Sequence, residues 1–203
     1  MDPNQNHGSV FKSWWKDCPV FSKFIFVITI LTSIISLFNQ GFMLFVLCFN
    51  PILVTQGYTF WQFFTFPYTC LSPISAAFSL CSFMSRCGKK ERILGTFRFI
   101  VYFTLQNFII GLTFIPLFYL LYYIGAPPEV YFFKLFISGL WPTIMVDMVI
   151  NYNEDGDEMV QFMCFPVQLK KKWYPWAFFL LFSLFFGIVF TLLAGILTGY
   201  LCI

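Results

Sequence analysis

The chain has 203 residues, of which 59% are hydrophobic and only 10% charged, with a formal net charge of +3. Soluble domains carry about one quarter charged residues, so this composition excludes an ordinary soluble domain and predicts a polytopic membrane protein. The basic residues cluster at the edges of apolar runs, which disfavours nucleic-acid binding and suits topology determinants.

Residues 1–10 (MDPNQNHGSV) are polar and hold the one histidine, His7, as a solvated tail residue. They contain no apolar run, which predicts no cleavable signal. Phe11 to Lys23 mixes Phe11, Trp14, Trp15 and Phe21 with Lys12, Lys16 and Lys23, the pattern of a short amphipathic helix on the inner membrane face or of a plain linker. No charge follows until Arg86. A first membrane helix is predicted from about Phe24 to Asn39, so residues 1–23 form the tail and 24–203 the transmembrane domain. Gly41 to Thr69 is then an outer loop, too apolar to float in water and broken by turn signals at Asn50-Pro51 and Gln56-Gly57. It is expected to lie in the interface, partly as short helices, with the rings of Phe60, Trp61, Phe63, Phe64 and Phe66 at headgroup level.

The second predicted helix, Leu71 to Ser85, is about 15 residues or roughly 22 Å long. That is short of a hydrocarbon core of about 30 Å and predicts local bilayer thinning, or shelter by longer neighbours. Ser72, Ser75, Ser79 and Ser82 give it a small-residue face suited to close packing. Arg86 to Arg98 reads as a basic inner loop carrying Arg86, Lys89, Lys90, Arg92 and Arg98. A third helix, Phe99 to Tyr123, is long enough to span with tilt, and its Gln106 and Asn107 can hydrogen-bond between helices. Gly125 to Pro128 is an outer turn. A fourth helix, Phe132 to Ile150, contains Asp147, the one acid inside an apolar helix. A membrane-buried acid is costly and often functional. One turn from the inner end, however, it is within reach of water or the basic loop, and pairing there is favoured over a client or proton role.

Asn153 to Glu158 (NEDGDE) is an acidic inner loop that can pair locally with Lys170, Lys171 and Lys172. Trp173 to Ile203 carries no charge. As one helix it would be roughly 46 Å long. A break at Gly187 makes a hairpin of two short helices and brings the count to six; without the fold-back it is five. Gly195 and Gly199 form a GxxxG face for helix packing. With the N-terminus inside, every basic residue except Lys134 falls on the inner face. The seven cysteines, Cys18, Cys48, Cys70, Cys81, Cys87, Cys164 and Cys202, form no CxxC and no Cys/His cluster, so neither a zinc site nor any other metal or cofactor is expected. Cys87, beside the basic loop, is a candidate for acylation.

The order of these features resembles the rhomboid superfamily. Asn50-Pro51 followed by Trp61-Gln62-Phe63-Phe64-Thr65 is similar to that family's outer loop with its Trp-Arg pair, Gln62 replacing the Arg. Glu91 to Phe99, with Gly95, is similar to the Glu–Gly segment between its second and third helices. Ser138-Gly139-Leu140-Trp141-Pro142 stands where the proteases carry Gly-x-Ser-Gly. Leu192 to Gly199 stands where they carry His and a Gly-rich helix. On this alignment Trp141 replaces the nucleophile and Leu192 the base, so no Ser–His dyad can form. The resemblance implies an all-α, rhomboid-like bundle without catalytic activity, akin to Derlins and small rhomboid-like proteins of the endoplasmic reticulum and Golgi. Those families bind, escort or help remove transmembrane clients.

Contact with clients or partners is expected at Trp61, Gln62, Trp141 and Asp147, helix packing at Gly139, Gly195 and Gly199, and partners among lipids and other integral membrane proteins. The endoplasmic reticulum is the favoured location. The alternative is a structural accessory subunit of a large membrane complex, such as a respiratory or ATP-synthase complex of the mitochondrial inner membrane.

Overall fold

The computed structural model describes residues 12, 15–124, 136–154, 156–162, 168–186 and 189–203. His7, Lys134, Cys164, Gly187, the Gly125–Pro128 turn and most of the residues before Trp15 lie outside them.

The fold is predominantly helical. Helix α1 (Val20–Phe38) starts directly after Pro19, whose extended backbone precedes the first turn. It therefore begins four residues before the predicted start and takes Lys23 into the helix. Three short helices follow in the expected outer loop: α2 (Gln40–Val46), α3 (Pro51–Thr55) and α4 (Gln62–Thr65), with a 3-10 turn at Phe66–Tyr68. Asn39 and Asn50 cap α2 and α3 through their side-chain oxygens, which accept from the amides of Phe42 and Ile52.

Helix α5 (Pro73–Leu94) corrects the sequence reading. It does not end at Ser85 but runs on through Arg86, Lys89, Lys90 and Arg92, and α6 (Thr96–Tyr123) begins two residues later. The basic loop shrinks to the single residue Gly95, and Arg98 lies in the first turn of α6. Lys, Arg and Glu are good helix formers, so loss of apolar character did not end the helix. Gly95 ended it, with φ +81°, a conformation that L side chains rarely adopt. At about 33 Å, α5 is no longer a short helix.

Helix α7 (Trp141–Glu154) starts well after the predicted Phe132. Residues 136–140 are not helical: Ile137 bridges to the backbone of Phe49, and Gly139 sits at φ +78° with its amide donating to the Phe66 carbonyl at 2.8 Å. Gly139 thus makes a bend and is not a helix-packing residue. A hairpin that hydropathy did not suggest follows, β1 (Met159–Gln161) antiparallel to β2 (Gln168–Lys170). Helices α8 (Tyr174–Phe186) and α9 (Val189–Leu201) complete the chain. Trp176 Nε1 donates to the Tyr200 hydroxyl at 3.1 Å, which sets the start of α8 beside the end of α9. The last apolar block is a hairpin of two helices.

Every residue from Leu140 to Val149 is buried, so α7 is enclosed on all sides up to Val149, with Asn151 and Asn153 of its last turn exposed, and forms the centre of the bundle. Its neighbour α9 lies against it at the two glycines. A Cβ on Gly195 would come within 2.5 Å of the Pro142 carbonyl oxygen, and one on Gly199 within 2.6 Å of Val149 Cβ. Aromatic packing fills the rest: Phe21, Phe83, Phe99 and Phe103 meet edge to face or tilted near the start of α1, and Phe49, Phe63, Phe66 and Phe114 beneath the outer loop.

Among the described residues α1 and α6 are long and apolar enough to cross a membrane. The arrangement of α1 is inverted relative to a helix in a water-soluble domain. Its buried face carries Ser22, Thr29, Thr32, Ser33 and Ser36, while Val20, Phe24, Leu31, Ile34, Ile35 and Phe38 are exposed.

Candidate functional site

The middle of the bundle holds a polar cluster built from three helices. Asp147 lies near the middle of α7, about two turns from its end rather than the single turn expected, because the helix runs on to Glu154. Its side chain is only 2% exposed. Oδ1 accepts from Lys90 Nζ at 2.9 Å and from the Tyr102 hydroxyl at 3.1 Å, and Oδ2 accepts from the Cys87 thiol at 3.1 Å. Lys90 also donates to Tyr102 at 2.9 Å and lies 4.4 Å from its ring centroid. Cys87 and Lys90 are one turn apart on α5, which puts both on the face turned to α7. The buried carboxylate is thus paired and hydrogen-bonded at both oxygens, which is what makes a buried charge tolerable. Cys87 is itself buried and engaged, so it is not the acylation site its neighbourhood suggested.

The next acid belongs to a different device. Glu91 is 1% exposed. Its Oε1 accepts from the amide of Phe21 at 3.0 Å and from the Thr96 hydroxyl at 3.0 Å; its Oε2 accepts from the amide of Ser22 at 2.9 Å and its hydroxyl at 2.7 Å. A helix leaves its first amides without intrahelical partners, and an anion there is also favoured by the helix dipole. Glu91 therefore caps α1 from α5, while Arg92 donates to the Asp17 carbonyl at 2.7 Å beside it.

Trp141 and Leu192, the two positions that the sequence resemblance expects in place of a catalytic dyad, are both buried. Trp141 Nε1 donates to Ser75 Oγ at 2.9 Å, and its ring packs on Phe178 and Phe182 with centroids 5.8 and 4.8 Å away. Its indole thus closes the space between α5, α7 and α8. Deeper in, Thr143 donates to Asn107 Oδ1 at 2.7 Å, and Gln106 Nε2 donates to the Thr143 carbonyl at 3.1 Å, joining α6 to α7. Asn107 also lines a cavity of about 120 Å³ with Phe63, Phe64, Pro67, Tyr68, Phe103 and Thr104.

In the outer loop Gln62 is fully buried. Its Oε1 accepts from the Asn50 amide at 3.0 Å and its Nε2 donates to the Phe45 carbonyl at 2.7 Å, so one side chain ties α4 to two other parts of the loop. Trp61 is exposed along with Tyr58, Phe60 and Phe64, and its Nε1 donates to the Val46 carbonyl at 2.8 Å. Of the four residues expected to meet a partner, Trp61 alone is on the surface; Gln62, Trp141 and Asp147 hold the bundle together from inside. An apolar groove of about 550 Å³ runs between α6 and α9, bordered by Pro116, Leu117, Leu120, Leu197 and Tyr200.

Of the residues expected in an inner basic loop, Arg86 lies over the Tyr152 ring and donates to its hydroxyl at 3.2 Å, while Lys89 and Arg98 are exposed. Tyr102, the bond from Cys87 to Asp147 and the capping role of Glu91 escaped sequence reasoning. The available signal was helical spacing: continuing α5 past Ser85 places Cys87, Lys90 and Glu91 on its inward side. Among the described residues no group of three or more His, Cys, Asp or Glu side chains is placed to hold a metal ion.

No protein-family model matches the sequence, and no curated protein is significantly similar to it.

Proposed function

We propose that the chain is a non-catalytic, rhomboid-like membrane protein of six transmembrane helices that binds or escorts transmembrane clients. The observation that carries this reading is the Trp141 plug. A rhomboid-type mechanism requires a hydroxyl nucleophile and an imidazole base within hydrogen-bond reach. Here the two aligned positions are an indole bonded to Ser75 and a buried leucine. Three further features support it: the central α7, enclosed from Trp141 to Val149, the glycine contact of α9 on α7, and the Glu91–Gly95 junction between α5 and α6. The apolar exposed face of α1 supports a lipid surrounding.

The bilayer thinning expected at the second helix moves to shorter helices, because α5 is long. The short ones are α7, α8 and α9, each about 20 Å long against a hydrocarbon core of about 30 Å. A client helix with a polar residue would cross a lower barrier beside α8 and α9. Density of nanodiscs around the reconstituted protein tests this, and full bilayer thickness next to α8 and α9 would rule it out.

The reading itself is tested by gentle detergent extraction of the tagged chain and mass spectrometry of the native complexes. A broad, substoichiometric set of membrane proteins with quality-control factors is the expected result. A fixed set of partners at defined stoichiometry would replace it with a structural subunit, and their identity would name the membrane.

A further inference from the structure

The end of the bundle where α1 begins carries an unbalanced cationic surface. The N-terminal stretch and the α5–α6 junction are fastened together there by the Glu91 cap and by the Arg92–Asp17 bond. This brings Lys16, Lys23, Lys89, Arg92 and Arg98 to one end. The exposed Asp17 beside Lys16 offsets one of the five, and the other carboxylates nearby do not neutralise them. Glu91 is committed to α1, and Asp147 to Lys90. The hairpin lysines pair with their own acids, Lys170 and Lys172 with Asp157 and Lys171 with Glu158. None of the five cations forms an ion pair with a described residue. Lys23 instead lies over the Trp15 ring at 5.8 Å.

The same junction projects two large apolar side chains. Ile93 is 83% exposed and Phe97 79% exposed, one on each side of Gly95. Ile93 follows Arg92, and Phe97 precedes Arg98. Lys and Arg at a bundle end serve topology without such neighbours. Exposed apolar residues interleaved with unpaired cations suit a headgroup layer instead, where the rings and aliphatic tips enter the acyl boundary and the cations meet phosphate.

We propose that this end of the bundle is a binding surface for anionic phospholipid headgroups, with Lys89 and Arg98 as its outer cations and Ile93 and Phe97 as its apolar tips. The proposal rests on the reading that the chain is embedded in a membrane. It is independent of whether the protein handles clients.

The test uses the full chain released from vesicles into detergent and titrated with phosphatidylserine or phosphatidylcholine in native mass spectrometry. The wild type is expected to retain phosphatidylserine in preference. K89Q/R98Q removes two cations whose side chains make no hydrogen bond or ion pair with a described residue, and it is expected to lower that preference by about fivefold per cation. Equal retention of the two lipids by the wild type, or an unchanged preference in K89Q/R98Q, would overturn the proposal. Inorganic phosphate alone provides a second arm: displacement of the bound phosphatidylserine by millimolar phosphate would mean a free-anion site rather than a lipid surface, and would also overturn it. Alkaline carbonate extraction of the vesicles, made first, separates the two levels. Release of the chain into the supernatant overturns the membrane reading and the proposal with it; retention followed by equal lipid binding overturns only the proposal.

Discussion

Lys90 Nζ and Asp147 Oδ1 lie 2.9 Å apart, joining α5 to the enclosed helix α7. Lys90 keeps 26% of its side chain exposed while Asp147 keeps 2%, so the acid bears most of the burial. Asp147→Ala strands the ammonium, the Tyr102 hydroxyl and the Cys87 thiol together. Breaking a buried pair this way costs about 3 to 5 kcal/mol, and the partial exposure of Lys90 places this case near 3 kcal/mol. The double variant K90M/D147L, which removes both charges, is expected to recover most of the loss. Thermal unfolding of the purified protein in detergent, as a double-mutant cycle, measures both. A double variant no more stable than Asp147→Ala would show that the pair is not a unit.

Glu91 is a second charged link, of a different kind. Its carboxylate serves two amides of α1 and two hydroxyls, so Glu91→Ala leaves the start of α1 uncapped and should lower stability by about 2 to 4 kcal/mol. Glu91→Gln keeps the acceptor oxygen on one side and loses the charge; about half the effect is expected. Hydrogen exchange at Phe21 and Ser22 reads the local consequence. Exchange there that stays as slow as in the wild type would exclude the capping role.

These two links also show where sequence reading stopped. Apolar runs located α1, α6 and the final hairpin, because a helix surrounded by apolar partners on every side writes its length into composition. The α2–α4 loop was legible for the same reason, with Asn50-Pro51 marking a true helix start. The end of α5 was not. Charge marks where a helix leaves an apolar surrounding, and only backbone chemistry marks where it stops; the stop is Gly95. The start of α7 was missed for a related reason: Phe136 and Ile137 are apolar, yet Ile137 bridges Phe49 as non-helical chain. Hydropathy cannot separate those two states in so short a run. Asp147 was visible as an anomaly, but its partners came from helix continuation, and Tyr102 is one tyrosine among ten.

The β1–β2 hairpin should respond to acid. Hydrogen bonds from Lys172 and Lys170 hold the exposed Asp157 carboxyl below the usual carboxylate range. A depressed pKa in the folded state means that the contribution is fully present above the unfolded value and is lost as pH falls through the folded one. Hydrogen exchange across residues 156–162 and 168–172 is therefore expected to be flat near neutral pH and, after correction for intrinsic rates, to accelerate only below the ordinary carboxylate pKa. Asp157→Asn should remove that acid step. If the step survives the substitution, another carboxylate controls the hairpin.

The two glycines of α9 make opposite predictions about rescue. At Gly199 the three atoms nearest an added methyl all belong to the Val149 side chain, at 2.6, 2.9 and 3.1 Å. At Gly195 it meets backbone, the Pro142 carbonyl oxygen at 2.5 Å and Pro142 Cα at 2.9 Å, as well as Met145 Cβ. Overpacking of this kind costs about 1 to 3 kcal/mol, and more where the obstacle cannot rotate away. Gly199→Ala alone should therefore destabilise the protein, and the double variant G199A/V149A should regain only the part due to the two Val149 methyls, since the Cβ at 2.6 Å stays in place. Gly195→Ala should be the worse single change, and Met145→Ala should not rescue it, because α9 would still have to move off the backbone of α7. Melting temperatures of the four variants measure the pattern. Equal rescue at both sites would mean that α9 and α7 are not in backbone contact at Gly195.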